Sequence, residues 1–71
     1  MTVMLTALPD GFTDGLSEDR RIAVLAAVGQ RVTLVGYWQG RVELEFRYLG
    51  DIYTVRVHHR CTRLPSAGAS L

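Results

Sequence analysis

The sequence predicts an α+β domain in which one short helix precedes three antiparallel strands. Three observations carry this. Between residues 41 and 48, Val42, Leu44, Phe46 and Tyr48 alternate with Arg41, Glu43, Glu45 and Arg47, the period of a strand with one buried and one wet face. Residues 22–28 form an apolar run entered through Ser17-Glu18-Asp19 and left through Gly29, the punctuation of a helix. Glycines near residues 40 and 50 separate three strand-like segments at hairpin spacing.

The N-terminal segment is the least patterned. Val3, Leu5 and Ala7 alternate with Thr2, Met4 and Thr6, which allows a short edge strand, and a frayed terminus is the alternative. Pro9-Asp10-Gly11 reads as a turn, with Phe12 and Leu16 as anchors to the core. The Ser17 hydroxyl suits an N-cap, and Glu18 and Asp19 sit where the helix dipole favours negative charge. The helix is expected over 18–28. Ile22, Leu25 and Val28, with Ala26, form its apolar stripe, and Gly29 is the left-handed residue that ends it. A helix of about three turns is marginal alone in water, so it must dock on the sheet.

The strands are expected at 31–37, 41–49 and 52–59. Gly50-Asp51 fits a type II′ turn, which sets Leu49 opposite Ile52, Phe46 opposite Val55 and Leu44 opposite Val57. On the wet face this register pairs Glu45 with Arg56 and Glu43 with His58. Trp38-Gln39-Gly40 fits a three-residue loop, preferred over a two-residue one because Gln39 would then need positive φ. That choice places Val32, Leu34 and Gly36 inward and Val35 and Tyr37 outward. Residues 61–64 suit a last short strand or a 3₁₀ turn. Residues 1–65 thus form a single small domain, and 66–71 read as a flexible tail.

Seventy-one residues allow one domain with a small core, whose stability is marginal or shared with a partner. No apolar run approaches the roughly 18 residues that span a bilayer. Met1 to Leu8 lacks the basic region of a signal peptide. The single cysteine, Cys61, has no internal disulfide partner, so a reducing, cytoplasmic setting is expected. The net charge is +1, and all eight basic residues are arginine.

Gly29-Gln30-Arg31-Val32-Thr33-Leu34, Gly40-Arg41-Val42-Glu43-Leu44-Glu45-Phe46 and Gly50-Asp51-Ile52-Tyr53-Thr54-Val55 together resemble small bacterial SH3-like barrel modules over residues 29–60. The resemblance implies a small barrel with one N-terminal helix packed on a twisted meander, and a role in binding other proteins or sitting beside a larger domain. The acidic loop and aromatic pair of proline-binding SH3 domains are absent from the sequence. A fainter similarity, to the Sm and host-factor RNA-binding fold, rests on the helix and bent strands ending in His58 and Pro65; the strand region is about one hairpin arm short of it.

His58, His59 and Cys61 are the densest set of metal-ligand types, but adjacent strand residues point to opposite faces, and His-x-Cys alone is not a zinc signature. No metal or cofactor is expected. Ser17 is explained as a cap, Cys61 lacks a catalytic signature, and arginines neutralise Glu43 and Glu45, so no enzymatic activity is expected. The outer sheet face is the candidate surface. Tyr37, Trp38, Arg47 and Arg56, beside exposed Val35, Leu49 and Ile52, have the composition of a protein contact. Coverage of this face by the N-terminal segment is the alternative. The expected role is a non-catalytic protein-binding module, self-associating or joined to a larger complex as an accessory, regulatory or inhibitory subunit of bacterial or phage type. The rival is a nucleic-acid module using Arg56, His58, Arg60 and Arg63, against which stand the near-neutral charge and the acidic N-terminal stretch.

Overall fold

The computed structural model describes residues 1–65. The expected tail, residues 66–71, lies outside the described residues. In chain order the elements are β1 (Thr2–Leu5), α1 (Glu18–Ala27), β2 (Arg31–Trp38), β3 (Arg41–Tyr48), β4 (Asp51–His58), a 3₁₀ turn (His59–Cys61) and β5 (Thr62–Arg63). The class is α+β, with one antiparallel sheet in the order β4-β3-β2-β1-β5.

Two expectations about architecture are corrected. The helix is not N-terminal, because β1 precedes it, and β1 is an interior strand between β2 and β5 rather than an edge. Its Val3 and Leu5 are buried. The sheet is open and not closed into an SH3-like barrel. Closure needs a paired last strand, whereas β5 is two residues long and pairs β1 alone. The far edge, β4, is held by the helix instead: the Arg20 guanidinium donates to the Thr54 carbonyl at 2.5 Å.

The helix forms as its punctuation requires. The Arg20 backbone N–H donates to the Ser17 hydroxyl at 3.3 Å, and Gly29 adopts φ +86° beyond the C-terminus. Its buried face is Ala23, Val24 and Ala27, not the expected stripe: Ile22, Leu25 and Ala26 are exposed and Val28 is half-buried. Two alanines let the helix axis come close to the sheet, while the larger side chains overhang its sides. The core joins Val24 and Ala27 to Val3, Leu5, Val32, Val42, Leu44, Val55, Val57 and Cys61. Phe12 and Leu16 pack against it as anchors. Burying each such aliphatic side chain contributes roughly 1.5–3 kcal/mol before the entropy of ordering the chain is subtracted.

Both hairpins differ from expectation in the same way. Gln39 and Gly40 (φ +52° and +77°) and Leu49 and Gly50 (φ +50° and +88°) form two-residue turns with both central residues left-handed, as in type I′. The twist of the flanking strands outweighs the side-chain penalty at Gln39 and Leu49. In the second hairpin Tyr48 lies opposite Asp51, Phe46 opposite Tyr53 and Leu44 opposite Val55. The register is displaced by two residues from the expected one, so every side chain keeps its face. The wet-face pairs become Glu43 with Arg56 and Arg41 with His58. In the first hairpin a bulge between Leu34 and Gly36 absorbs the shorter turn. Val32 and Leu34 stay on the core side, but beyond the bulge Tyr37 lies opposite Val42 and Gly36 opposite Glu43. The expected placements of Tyr37 outward and Gly36 inward are therefore reversed.

Candidate functional site

The helix covers one side of the sheet and leaves the other open. The open face carries Arg41, Glu43, Glu45 and Arg47 of β3, and Ile52, Thr54, Arg56 and His58 of β4, since these are directly opposed across the hairpin. Thr33, Gly36 and Trp38 continue it on β2, and Thr2 and Met4 on β1. The loop through Phe12 and Leu16 packs against the core and reaches the β4 edge, where both side chains line a groove together with Arg20, Glu43, Thr54 and Arg56. Val35 at the bulge and Ile52 remain more than half exposed.

Trp38 organises one end of this face. The indole lies over Gly36, where an added Cβ would stand 3.0 Å from Trp38 Cζ3. The missing side chain lets the six-membered ring of the indole approach the strand closely. The Arg56 guanidinium carbon sits 5.2 Å from the indole centroid, in cation–π position. Arg56 Nε also lies 3.8 Å from Glu43 Oε1. The Arg56 side chain is 67% exposed and Glu43 28%, so this pair adds little stability and chiefly orients the guanidinium. The result is a flat aromatic plate with an oriented cation and a neighbouring acceptor, open to solvent.

The sequence-predicted partner residues are split by the fold. Trp38 and Arg56 meet. Arg47 shares their face but lies toward the other end of the hairpin, opposite Ile52. Tyr37 is on the helix side, with its ring 6.5 Å from that of His59. Of the alternative set, Arg56 and His58 share the open face of β4, Arg60 lies in the 3₁₀ turn, and Arg63 is on β5, at the opposite edge of the sheet. The four do not line one track along the sheet.

His58 and His59 come together at the end of β4, ring centroids 4.4 Å apart, against the Gly40 turn. His58 Nδ1 accepts from the Arg60 N–H at 3.2 Å, which caps the 3₁₀ turn. Desolvation first, then the nearby charges of His59, Arg60 and Arg41, lowers the His58 pKa below 6.5. The neutral imidazole is the form that accepts this bond. His59 is exposed beside Tyr37. Among the described residues no three His, Cys, Asp or Glu side chains are grouped to hold a metal ion. Cys61 is buried and free, and its carbonyl accepts from the Thr6 N–H at 2.8 Å and the Thr6 hydroxyl at 2.9 Å.

The β4 edge is the other feature capable of engaging a partner. In a two-residue hairpin the pair flanking the turn is hydrogen-bonded, so the backbone groups of Ile52, Thr54, Arg56 and His58 point away from β3. Arg20 occupies the outward Thr54 carbonyl and so blocks strand addition at the middle of this edge. No helix among the described residues is long and apolar enough to cross a membrane.

Sequence reasoning missed Gly36 as the floor beneath Trp38. A glycine two residues before an aromatic on the same strand face is the signal that could have found it. It also missed the exposed apolar side of α1. Comparison of the chain with protein-family models, with curated proteins and with solved structures found no match in any of the three.

Proposed function

We propose that this chain is a non-catalytic protein-binding module whose contact surface is the open sheet face centred on Trp38 and Arg56. The observation that carries the reading is the Trp38 indole laid on Gly36 with Arg56 above it, at the end of a face that the helix leaves uncovered. Trp and Arg concentrate binding energy because they bury large areas and hold rigid planar geometry. Here both are already oriented, which lowers the entropy cost of association. Exposed Ile52 extends the apolar area, while Glu43, Glu45, Arg41 and Arg47 supply a mixed-charge rim. A domain this small gains stability from a larger partner. The proposed role is that of an accessory, regulatory or inhibitory subunit.

The test is photo-crosslinking in the native host. A benzophenone amino acid at Ile52 should give one discrete higher-mass adduct, and the same group at Ser17, on the helix side, should not. Trp38→Ala or Arg56→Ala should remove the Ile52 adduct while leaving the folded circular dichroism spectrum unchanged. An adduct of equal yield in both variants would refute the surface. An adduct whose partner is nucleic acid, lost steeply with added salt, would replace it with the rival reading.

A further inference from the structure

A second surface lies on the opposite side of the molecule. Between the first half of α1 and the tip of the β3–β4 hairpin runs an open groove of about 370 Å³, lined by Asp19, Ile22, Tyr48, Leu49, Asp51 and Tyr53. Two of its apolar members are strongly exposed. Ile22 is 43% exposed, and Leu25, outside the groove one helical turn on, 53%. Leu49 is 86% exposed.

Leu49 is the telling residue. It holds φ +50° as the first central residue of its turn, where Asn, Asp or Gly relieves the steric cost that leucine meets. The side chain recovers nothing from the domain's own core, being almost wholly in solvent. A residue that costs stability twice, by conformation and by exposure, is explained by what it does for another molecule.

The charge of the groove selects the occupant. Asp19 and Asp51 stand on its rim, and no Arg lines it. Among the described residues the ion pair within 4.0 Å joins Arg56 to Glu43, so neither rim carboxylate is neutralised at contact distance. Asp19 also lies in the first turn of the helix. An anionic surface or a nucleic acid would be repelled here.

We propose that this groove docks a basic amphipathic segment of another protein, in which an aliphatic or aromatic anchor packs on Ile22, Leu49 and Tyr53 while flanking Lys or Arg side chains pair with Asp19 and Asp51. The site is distinct from the Trp38 face and does not depend on it.

The probe is a nine-residue peptide alternating Arg and Leu, compared with its counterpart carrying Glu for Arg, titrated into ¹⁵N-labelled full-length chain. The basic peptide should shift the Ile22, Leu49 and Tyr53 amides saturably. Asp19→Asn with Asp51→Asn should weaken it about three- to tenfold, the range of two exposed charge pairs. Leu49→Asn should raise Tm by about 2–5 °C while abolishing binding. Trp38→Ala should leave the titration unchanged, which separates failure here from failure of the sheet-face reading. Equal binding of the Glu peptide, shifts confined to other residues, or no saturable shift would overturn the proposal. So would a lower Tm in Leu49→Asn, which marks a structural role, or concentration-dependent groove shifts without peptide, which make a second copy the occupant.

Discussion

Gly36→Ala separates binding from folding, and its effect can be worked out from the structure. The added methyl stands 3.0 Å from Trp38 Cζ3 and 3.6 Å from Glu43 Cβ. The second contact is ordinary, so the indole alone must move. Trp38 is 38% exposed and its ring is covered by the exposed Arg56 side chain, so it can swing aside without distorting the backbone. The loss is its cation–π contact with Arg56, about 0.5–1 kcal/mol at an exposed site. Against this, replacing glycine inside a strand recovers roughly 0.5–1 kcal/mol of chain entropy. The two nearly cancel. Urea denaturation should place the variant within about 1 kcal/mol of the parent, and the midpoint within roughly 4–8 °C by heat. The tryptophan emission should shift nonetheless, and the Ile52 crosslink should fall. Destabilisation by more than about 2 kcal/mol would refute the reasoning, because it would put backbone rather than a movable ring above Gly36.

Other residues test other parts of the account. Leu44→Ala, at a fully buried position of β3, should cost about 3–4 kcal/mol by urea denaturation, a large share of the roughly 4–10 kcal/mol expected of a chain this size. Ser17→Ala should cost about 0.5–1 kcal/mol, because the cap bond is exposed and long at 3.3 Å. Arg20→Ala frees the Thr54 carbonyl and should raise the sedimentation coefficient with concentration as β4 edges pair. The folded-state pKa of His58 is lowered, so protons bind more readily to the unfolded chain. Stability should therefore fall as pH drops through 6.5 and level off below the folded-state value. His58→Ala should flatten that limb of the stability–pH curve.

The sequence disclosed the elements better than their mutual fit. The helix and the three long strands were legible because Ser17, Gly29 and the alternation at 42–48 are local signals. The helix face was not. Residues 22–28 are apolar nearly throughout, so periodicity offers no single stripe, and side-chain size decides: Ala23 and Ala27 allow close approach where Ile22 and Leu25 do not. The turns were misjudged for a related reason. A penalty at Leu49 or Gln39 is local, whereas strand twist acts along two eight-residue strands. The resulting register slip was harmless to the faces in the second hairpin because it was even. In the first the two-residue turn moves Tyr37 off the candidate surface, and a bulge, which no residue type at 34–36 announces, keeps Val32 and Leu34 on the core side. The open sheet was likewise illegible, since closure depends on how far β5 extends beyond the 3₁₀ turn. As for the site, Trp38 and Arg56 were found as residue types, but their contact depends on the register.

The candidate surface depends on which side of the sheet Trp38 and Tyr37 occupy. Nuclear Overhauser contacts of their rings measure this directly. The account predicts contacts from the Trp38 indole to the Gly36 α-protons and the Arg56 side chain, with the Tyr37 ring near His59 and Val42. Indole contacts to Val42 or Leu44, with Tyr37 beside Glu43, would invert the face and contradict it.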